Sequence, residues 1–285
     1  MGNILPPRWR RGSLPRARAS RLDATAAVAA LRRYGCLRVD GVLPAELCNR
    51  LLAHSEGAME AALASAKSGE VRATDAFAEH LLAGDQVGKR LDHKLRLDEP
   101  VVRAALLQSL QALCGVYDAL LGADAELFEL STIISELGTP QQGLHPDFPP
   151  YGDVSPVALV VFLALSDLSI RQGPTSFLPS THTISFHATP QEERDDADLA
   201  RLPRCTPLLR RGDAVIMDSA LYHAGGANRH ARRTLFHFTL KRRDAYPGGR
   251  FSSLLEELRG RHTLAGLLAA GAGDDVPDGG RTSRM

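Results

Sequence analysis

Two short stretches hold side chains whose types and spacing suit a metal ion. The first is Gln141-Gln142-Gly143-Leu144-His145-Pro146-Asp147. On extended backbone, residues two apart point to the same side, so His145 and Asp147 can aim at one point. An imidazole and a carboxylate together suit a divalent ion such as Fe(II). Alone, the pair is a common pattern. The second stretch runs from Gly212 to His223, where an apolar strand ends in a turn and delivers a histidine. A Gly/Asn loop, Gly225 to Asn228, then leads to Arg232 and Arg233 and into the next strand. Singly, His223 reads as a hydrogen-bonded histidine at a strand end, and the two arginines as surface charge. Together, two histidines and one carboxylate are the protein ligands of a non-heme Fe(II) centre, which leaves positions open for cosubstrate and dioxygen. A dicarboxylic cosubstrate that chelates the metal at one end needs a partner at the other. A guanidinium fork entering the next strand can be that partner.

Such residues need a frame, and the chain changes character once along its length. Residues 23–122 read as helical. Asp23 caps a helix over Ala24–Arg33 that stops at Gly35. Pro44 suits the first turn of a second helix with Leu47, Leu51 and Leu52 on one face. Glu99–Leu121 carries Val102, Leu106, Leu110, Leu113, Tyr117 and Leu120 at spacings of three or four, with Gly122 as the stop. From Leu127 onward the segments Leu127–Leu137, Val157–Leu165, Thr175–Leu178, Asp213–Met217 and Thr234–Leu240 are short, mostly apolar and bounded by turn formers, which reads as strands. No long helices separate them, so an antiparallel double sheet is expected rather than βαβ units. The acid-rich stretch 191–199 reads as a solvated loop or short helix.

The chain has 285 residues, 34 Lys+Arg against 33 Asp+Glu, and a net charge of +1, which argues against a nucleic-acid binder. With 44% hydrophobic and 24% charged residues the balance is that of a folded protein. No uninterrupted apolar run reaches the length of a membrane span; Val157–Leu165 is the longest. Four scattered cysteines without a CxxC pair argue against a disulfide scaffold and a thiolate zinc site and fit a reducing compartment, so an intracellular, cytoplasmic protein is expected. Residues 1–22, with six arginines and no acid, read as a disordered basic tail or an organelle-targeting leader. Residues 271–285 read as a second disordered tail. One catalytic domain is expected over 23–260, with a helical support at about 23–122 and a β core at about 127–245.

The combined motifs resemble the phytanoyl-CoA dioxygenase family of Fe(II)/2-oxoglutarate oxygenases. The matching stretches are Gln142–Asp147, Gly173–His182, Gly212–Asp218, and His223–Arg229 with Arg232-Arg233-Thr234-Leu235 behind it; Tyr34–Leu43 is a weaker match. Together they cover roughly residues 25–245. The resemblance implies an α+β chain whose double-stranded β-helix (jelly-roll, cupin-like) core has N-terminal helices packed on one sheet. It implies His145, Asp147 and His223 as iron ligands, with 2-oxoglutarate and dioxygen as cosubstrates and succinate and carbon dioxide released as a small organic or lipid-like substrate is hydroxylated. It also implies an arginine on the far carboxylate of 2-oxoglutarate. The family's arginine is usually followed two residues later by a small, often hydroxyl-bearing residue, so Arg232 with Thr234 is preferred to Arg233.

Strand alternation sets Arg232, Thr234 and Phe236 on one face and Arg233, Leu235 and His237 on the other. Gln142 matches a family position near the cosubstrate, with a structural role equally open. Gly225 stands where some members have a hydroxyl on the cosubstrate. His182, His230 and His237 read as structural or surface. Halide-using relatives have a small residue in place of Asp147, so a carboxylate there favours hydroxylation. Phe148–Val154 is expected to wall the substrate pocket, with Phe148 and Tyr151 at its entrance. No phosphate-binding cluster marks a CoA site. Two other readings compete. One is an inactive jelly roll that binds a ligand. The other is a cupin-type metalloenzyme independent of 2-oxoglutarate, although no second histidine lies two residues from His145.

Overall fold

The computed structural model describes residues 13–78, 89–189, 196–245 and 253–273. The helices are α1 (Ala24–Tyr34), α2 (Ala45–Ser68), α3 (Ala73–Ala76), α4 (Pro100–Leu121), α5 (Ile184–His187), α6 (Asp196–Arg201) and α7 (Leu264–Gly273). The strands are β1 (Arg16–Arg18), β2 (Cys36–Asp40), β3 (Arg90–Lys94), β4 (Glu126–Ser135), β5 (Ala158–Ala164), β6 (Thr175–Phe177), β7 (Ala214–Asp218), β8 (His223–Gly225) and β9 (Arg233–Lys241).

Local chemistry sets the helix ends. The Asp23 carboxylate accepts the Ala26 N–H at 3.0 Å, filling one of the orphan donors of the first turn. Gly35 ends α1 at φ 77°, a conformation that disfavours any side chain. A Cβ there would also lie 2.6 Å from His182 Nδ1. Pro100 opens α4 without wasting a donor. By length and composition α4 could cross a membrane, at a mean hydropathy of 1.3. Here it is the core helix, with Val102, Leu106, Leu110, Leu113 and Tyr117 fully buried.

Seven strands form the large sheet in the order β1-β2-β7-β5-β9-β4-β3; β6 and β8 pair in a small one. Isolated bridges, His145 to His223 and Phe177 to Cys205, extend the small sheet on both sides. The arrangement is the expected jelly roll, with α1, α2 and α4 on the outer face of the large sheet. That outer face presents Leu130, Leu159, Val161, Leu163, Ile216, Phe236, Phe238 and Leu240, all in one apolar core with the helices. Each such side chain contributes roughly 1.5–3 kcal/mol on burial, so this layer holds the large sheet in place.

Three sequence expectations change. The stretch 23–122 is not wholly helical. β2 pairs with β1 and β7, and β3 forms the opposite edge of the sheet against β4. Residues 16–21 are not tail: β1 runs parallel to β2, and Arg16 pairs with Asp40. Helix α7 extends to Gly273, into the segment read as the C-terminal tail. The acidic stretch 191–199 is described only from 196, where α6 begins; its start, residues 1–12 and residues 274–285 lie outside the described residues.

Candidate active site

The interior between the two sheets receives side chains from β3, β4, β5, β7 and β9 on one side and from the small sheet on the other. The segment 142–148 lies antiparallel to 219–225. Gln142 N–H donates to Gly225 O at 2.9 Å, His145 and His223 exchange both backbone bonds at 2.9–3.0 Å, and Asp147 N–H donates to Ser219 O at 2.9 Å. This pairing converts distant sequence positions into neighbours. His145, Asp147 and His223 each offer one ligand atom, all within 4.8 Å of one another.

The rings are preset for a metal. His145 Nδ1 lies 2.8 Å from Gly143 O, and His223 Nδ1 lies 3.0 Å from Leu221 O. A carbonyl only accepts, so Nδ1 carries the proton and Nε2 the lone pair in each ring. Both Nε2 atoms face Asp147 Oδ1, at 4.0 and 3.6 Å. Burial lowers the His223 pKa to about 4, outweighing the attraction of Asp147, so the ring is neutral and ligand-competent near pH 7. Phe162 and Phe177 flank His223 at ring-centroid distances of 5.8 and 6.2 Å and limit water on that side. Two imidazoles and one carboxylate at this separation fit Fe(II).

Arg232 does not join this group. Its Nε donates to Glu136 at 2.7 Å, Glu60 lies 3.5 Å from its Nη1, and its side chain is 31% exposed. Arg233, the first residue of β9, is the one that faces inward, buried to 1%. It donates to Gly173 O and, at 3.1 Å, to Ser135 Oγ. The alternation was read correctly and its phase was not. Phe236 and Phe238 claim the helix-facing side, which sends Arg233, Leu235 and His237 inward and turns Thr234 away from the site.

A second guanidinium, Arg90 on β3, stands beside Arg233 and was not anticipated. It is 1% exposed and donates to Pro140 O and Gly226 O at 3.2–3.3 Å. Its Nη1 and Nε, and the Nε of Arg233, have no partner among the described residues. Burial lowers Arg233 to about 9, with repulsion from Arg90 adding to it, and burial lowers Arg90 to about 10. Gly225 explains the room for Arg90. A Cβ at that position would lie 2.7 Å from Arg90 Nη1 and 2.6 Å from Gln142 Oε1. Glycine at 225 thus leaves that space to the Arg90 guanidinium. Gln142 Oε1 accepts the Gly225 N–H at 3.0 Å, so its amide and Arg90 Nη1 border the same glycine.

His237, read as structural or surface, lies inside. Its Nδ1 is 3.0 Å from Ser131 Oγ, its Nε2 is 3.5 Å from Glu129 Oε2, and its ring stacks on Phe162 at 5.3 Å. His182 is buried with Nε2 3.1 Å from Arg32 O, and His230 is exposed. Phe148 is buried in an edge-to-face pair with Phe128 at 5.4 Å, and Tyr151 is 53% exposed. A signal that could have found the inner wall is Glu129, Ser131 and Ser135, polar residues at even spacing along β4.

Comparison with known proteins agrees with this fold. The phytanoyl-CoA dioxygenase (PhyH) family matches residues 31–234. AviO1 from Streptomyces viridochromogenes is similar in structure at 20% identity and a TM-score of 0.60, over 80% of this chain and 99% of that one. SnoN, a non-heme α-ketoglutarate-dependent epimerase from nogalamycin biosynthesis, is similar at 21% identity and 0.57, over 84% and 91%. HygX from Streptomyces hygroscopicus, solved with nickel, 2-oxoglutarate and hygromycin B, is similar at 15% identity and 0.56, over 83% and 94%. No curated protein matches. The family match spans most of the chain, which therefore belongs to the phytanoyl-CoA dioxygenase family of non-heme iron, 2-oxoglutarate-dependent enzymes.

Proposed function

We propose that this member of the phytanoyl-CoA dioxygenase family hydroxylates a small organic substrate, using Fe(II), 2-oxoglutarate and dioxygen. The observation that carries the reading is the convergence, in one interior, of the His145–Asp147–His223 ligand set with two buried guanidiniums that keep some N–H groups without a partner among the described residues. Unpaired buried cations are costly. A dicarboxylic cosubstrate answers both needs, one end on the metal and the other on Arg233. When bound, iron and 2-oxoglutarate supply the oxidising chemistry, with succinate and carbon dioxide as by-products.

The chain's own part is positioning. Gly143 O and Leu221 O fix the two imidazoles, and Phe162 and Phe177 keep the His223 side dry. Ser135 and Gly173 O orient Arg233, and Arg90 adds a second positive charge where the distal carboxylate is neutralised. The carboxylate at 147 favours hydroxylation, because it fills the position that halide-using relatives leave open. The test is succinate release by the iron-loaded protein with and without 2-oxoglutarate. Succinate formation that depends on both supports the reading, and its absence overturns it. A cupin-type enzyme would turn over without 2-oxoglutarate.

A further inference from the structure

Neighbouring rings limit how His223 can tilt. Phe162 lies 5.8 Å from it, Phe177 6.2 Å and His145 4.6 Å between ring centroids. Phe162 has a further ring contact of its own. His237 stacks on it at 5.3 Å, with 19° between the planes. The strand register brings the two together, because Phe162 and His237 stand directly opposite each other on β5 and β9. The same register sets Ser131 opposite His237, and Glu129 opposite Thr239, across β4 and β9. Ser131 Oγ lies 3.0 Å from His237 Nδ1, and Glu129 Oε2 lies 3.5 Å from Nε2. Glu129 in turn accepts from Thr239 Oγ1 at 2.5 Å. The imidazole thus has a polar partner at each nitrogen, and all five side chains of the group are buried.

Stability alone does not call for this group. An acid, an imidazole and two hydroxyls cost free energy to bury that apolar side chains of similar volume do not. What a polar network adds is rigidity: it fixes the orientation of a ring that apolar packing leaves freer. We propose that His237 is a positioning residue for the metal centre. Gripped by Ser131 and Glu129, its ring braces Phe162, and Phe162 fixes the plane in which His223 presents Nε2. The inference rests on the reading of His145, Asp147 and His223 as metal ligands.

Titration of the full chain with cobalt(II), followed by calorimetry and by the visible absorption of the bound ion, tests it in a double-substitution cycle. His237→Leu and Phe162→Leu are each expected to weaken cobalt binding by about tenfold and to shift the visible bands. The melting temperature of metal-free His237→Leu is expected not to fall, since leucine removes buried polar groups and keeps apolar volume. Because His237 acts through Phe162, the double variant is expected to lose about tenfold rather than about 100-fold. Cobalt affinity and bands unchanged in His237→Leu overturn the proposal. So does an additive loss in the double variant, or a weakening in His237→Leu that comes with a lowered melting temperature of the metal-free protein. If His237→Leu fails to fold, His237→Gln, which keeps polar atoms for Ser131 and Glu129 but has no ring, takes its place in the cycle. His145→Ala separates the two readings. If it binds cobalt as tightly as the parent protein, the ligand assignment falls and the brace with it; if it loses cobalt while His237→Leu does not, the brace alone falls.

Discussion

On β9, Phe236, Phe238 and Leu240 face the helices while Arg233, Leu235 and His237 face the space between the sheets, and all six are at most 4% exposed. The helix-facing set fills an apolar core with α1, α2 and α4. The inward set brings a guanidinium and an imidazole into the interior that also holds the metal-competent His145, Asp147 and His223. Equal burial thus serves two purposes on one strand. The outer face lowers the free energy of the fold by removing apolar surface from water. The inner face carries charged and polar groups that the fold alone does not satisfy, and the unpaired N–H groups of Arg90 and Arg233 are its mark.

Substitutions can break that comparison. The largest expected effect is at the triad. His145→Ala, Asp147→Ala or His223→Ala should lower succinate release by more than about 100-fold, with iron content falling in parallel. Phe236→Ala or Phe238→Ala should destabilise the fold by about 3–5 kcal/mol in chemical denaturation, yet leave the KM for 2-oxoglutarate of the folded protein unchanged. A changed KM would mean the two faces are coupled.

Arg233→Met should raise the KM for 2-oxoglutarate by about 10- to 100-fold without lowering the melting temperature of the cosubstrate-free protein, since it removes a buried charge. Arg232→Met should move neither by much, because its surface pairing with Glu136 is worth about 1 kcal/mol at most. The smallest effect concerns pH. Burial lowers His93, on the helix-facing side of β3, from its ordinary 6.5 to about 4. Its neutral form therefore contributes stability that is complete above pH 6.5 and lost as pH falls toward 4. His93→Gln should flatten the stability profile over that window relative to the parent protein, with succinate release intact at pH 7.5.

Much of this was legible in the sequence. Asp23, Gly35, Pro44 and Gly122 punctuate the helices where expected, and the His145-x-Asp147 pair and His223 can be picked out together by type and spacing. The phase of β9 was not. When both faces of a strand are buried, a one-residue shift leaves the apolar pattern nearly unchanged and reverses every side chain. Arg232 and Arg233 exchange places under that shift. Arg90 was hidden for a different reason. β3 is an edge strand whose partner, β4, is remote in sequence, so nothing local to Lys89–Lys94 marks it as sheet. Gly225 makes sense only with Arg90 in place, because the glycine is defined by what occupies the space its side chain would need.

The small sheet has a mechanical consequence. β6 and β8 contribute three residues each, and the segment bearing His145 and Asp147 joins them mainly through its backbone bonds to 219–225. So thin a layer can open without unfolding the broad sheet behind it. An ion bound to His145, Asp147 and His223 would tie the two ends of a long chain excursion together, as a cross-link does, removing loop entropy from the opened state. Loading the metal would then do more than prepare chemistry. It would clamp the layer that carries its own ligands, so that the amide hydrogens of 142–148 and 219–225 become slow to exchange together.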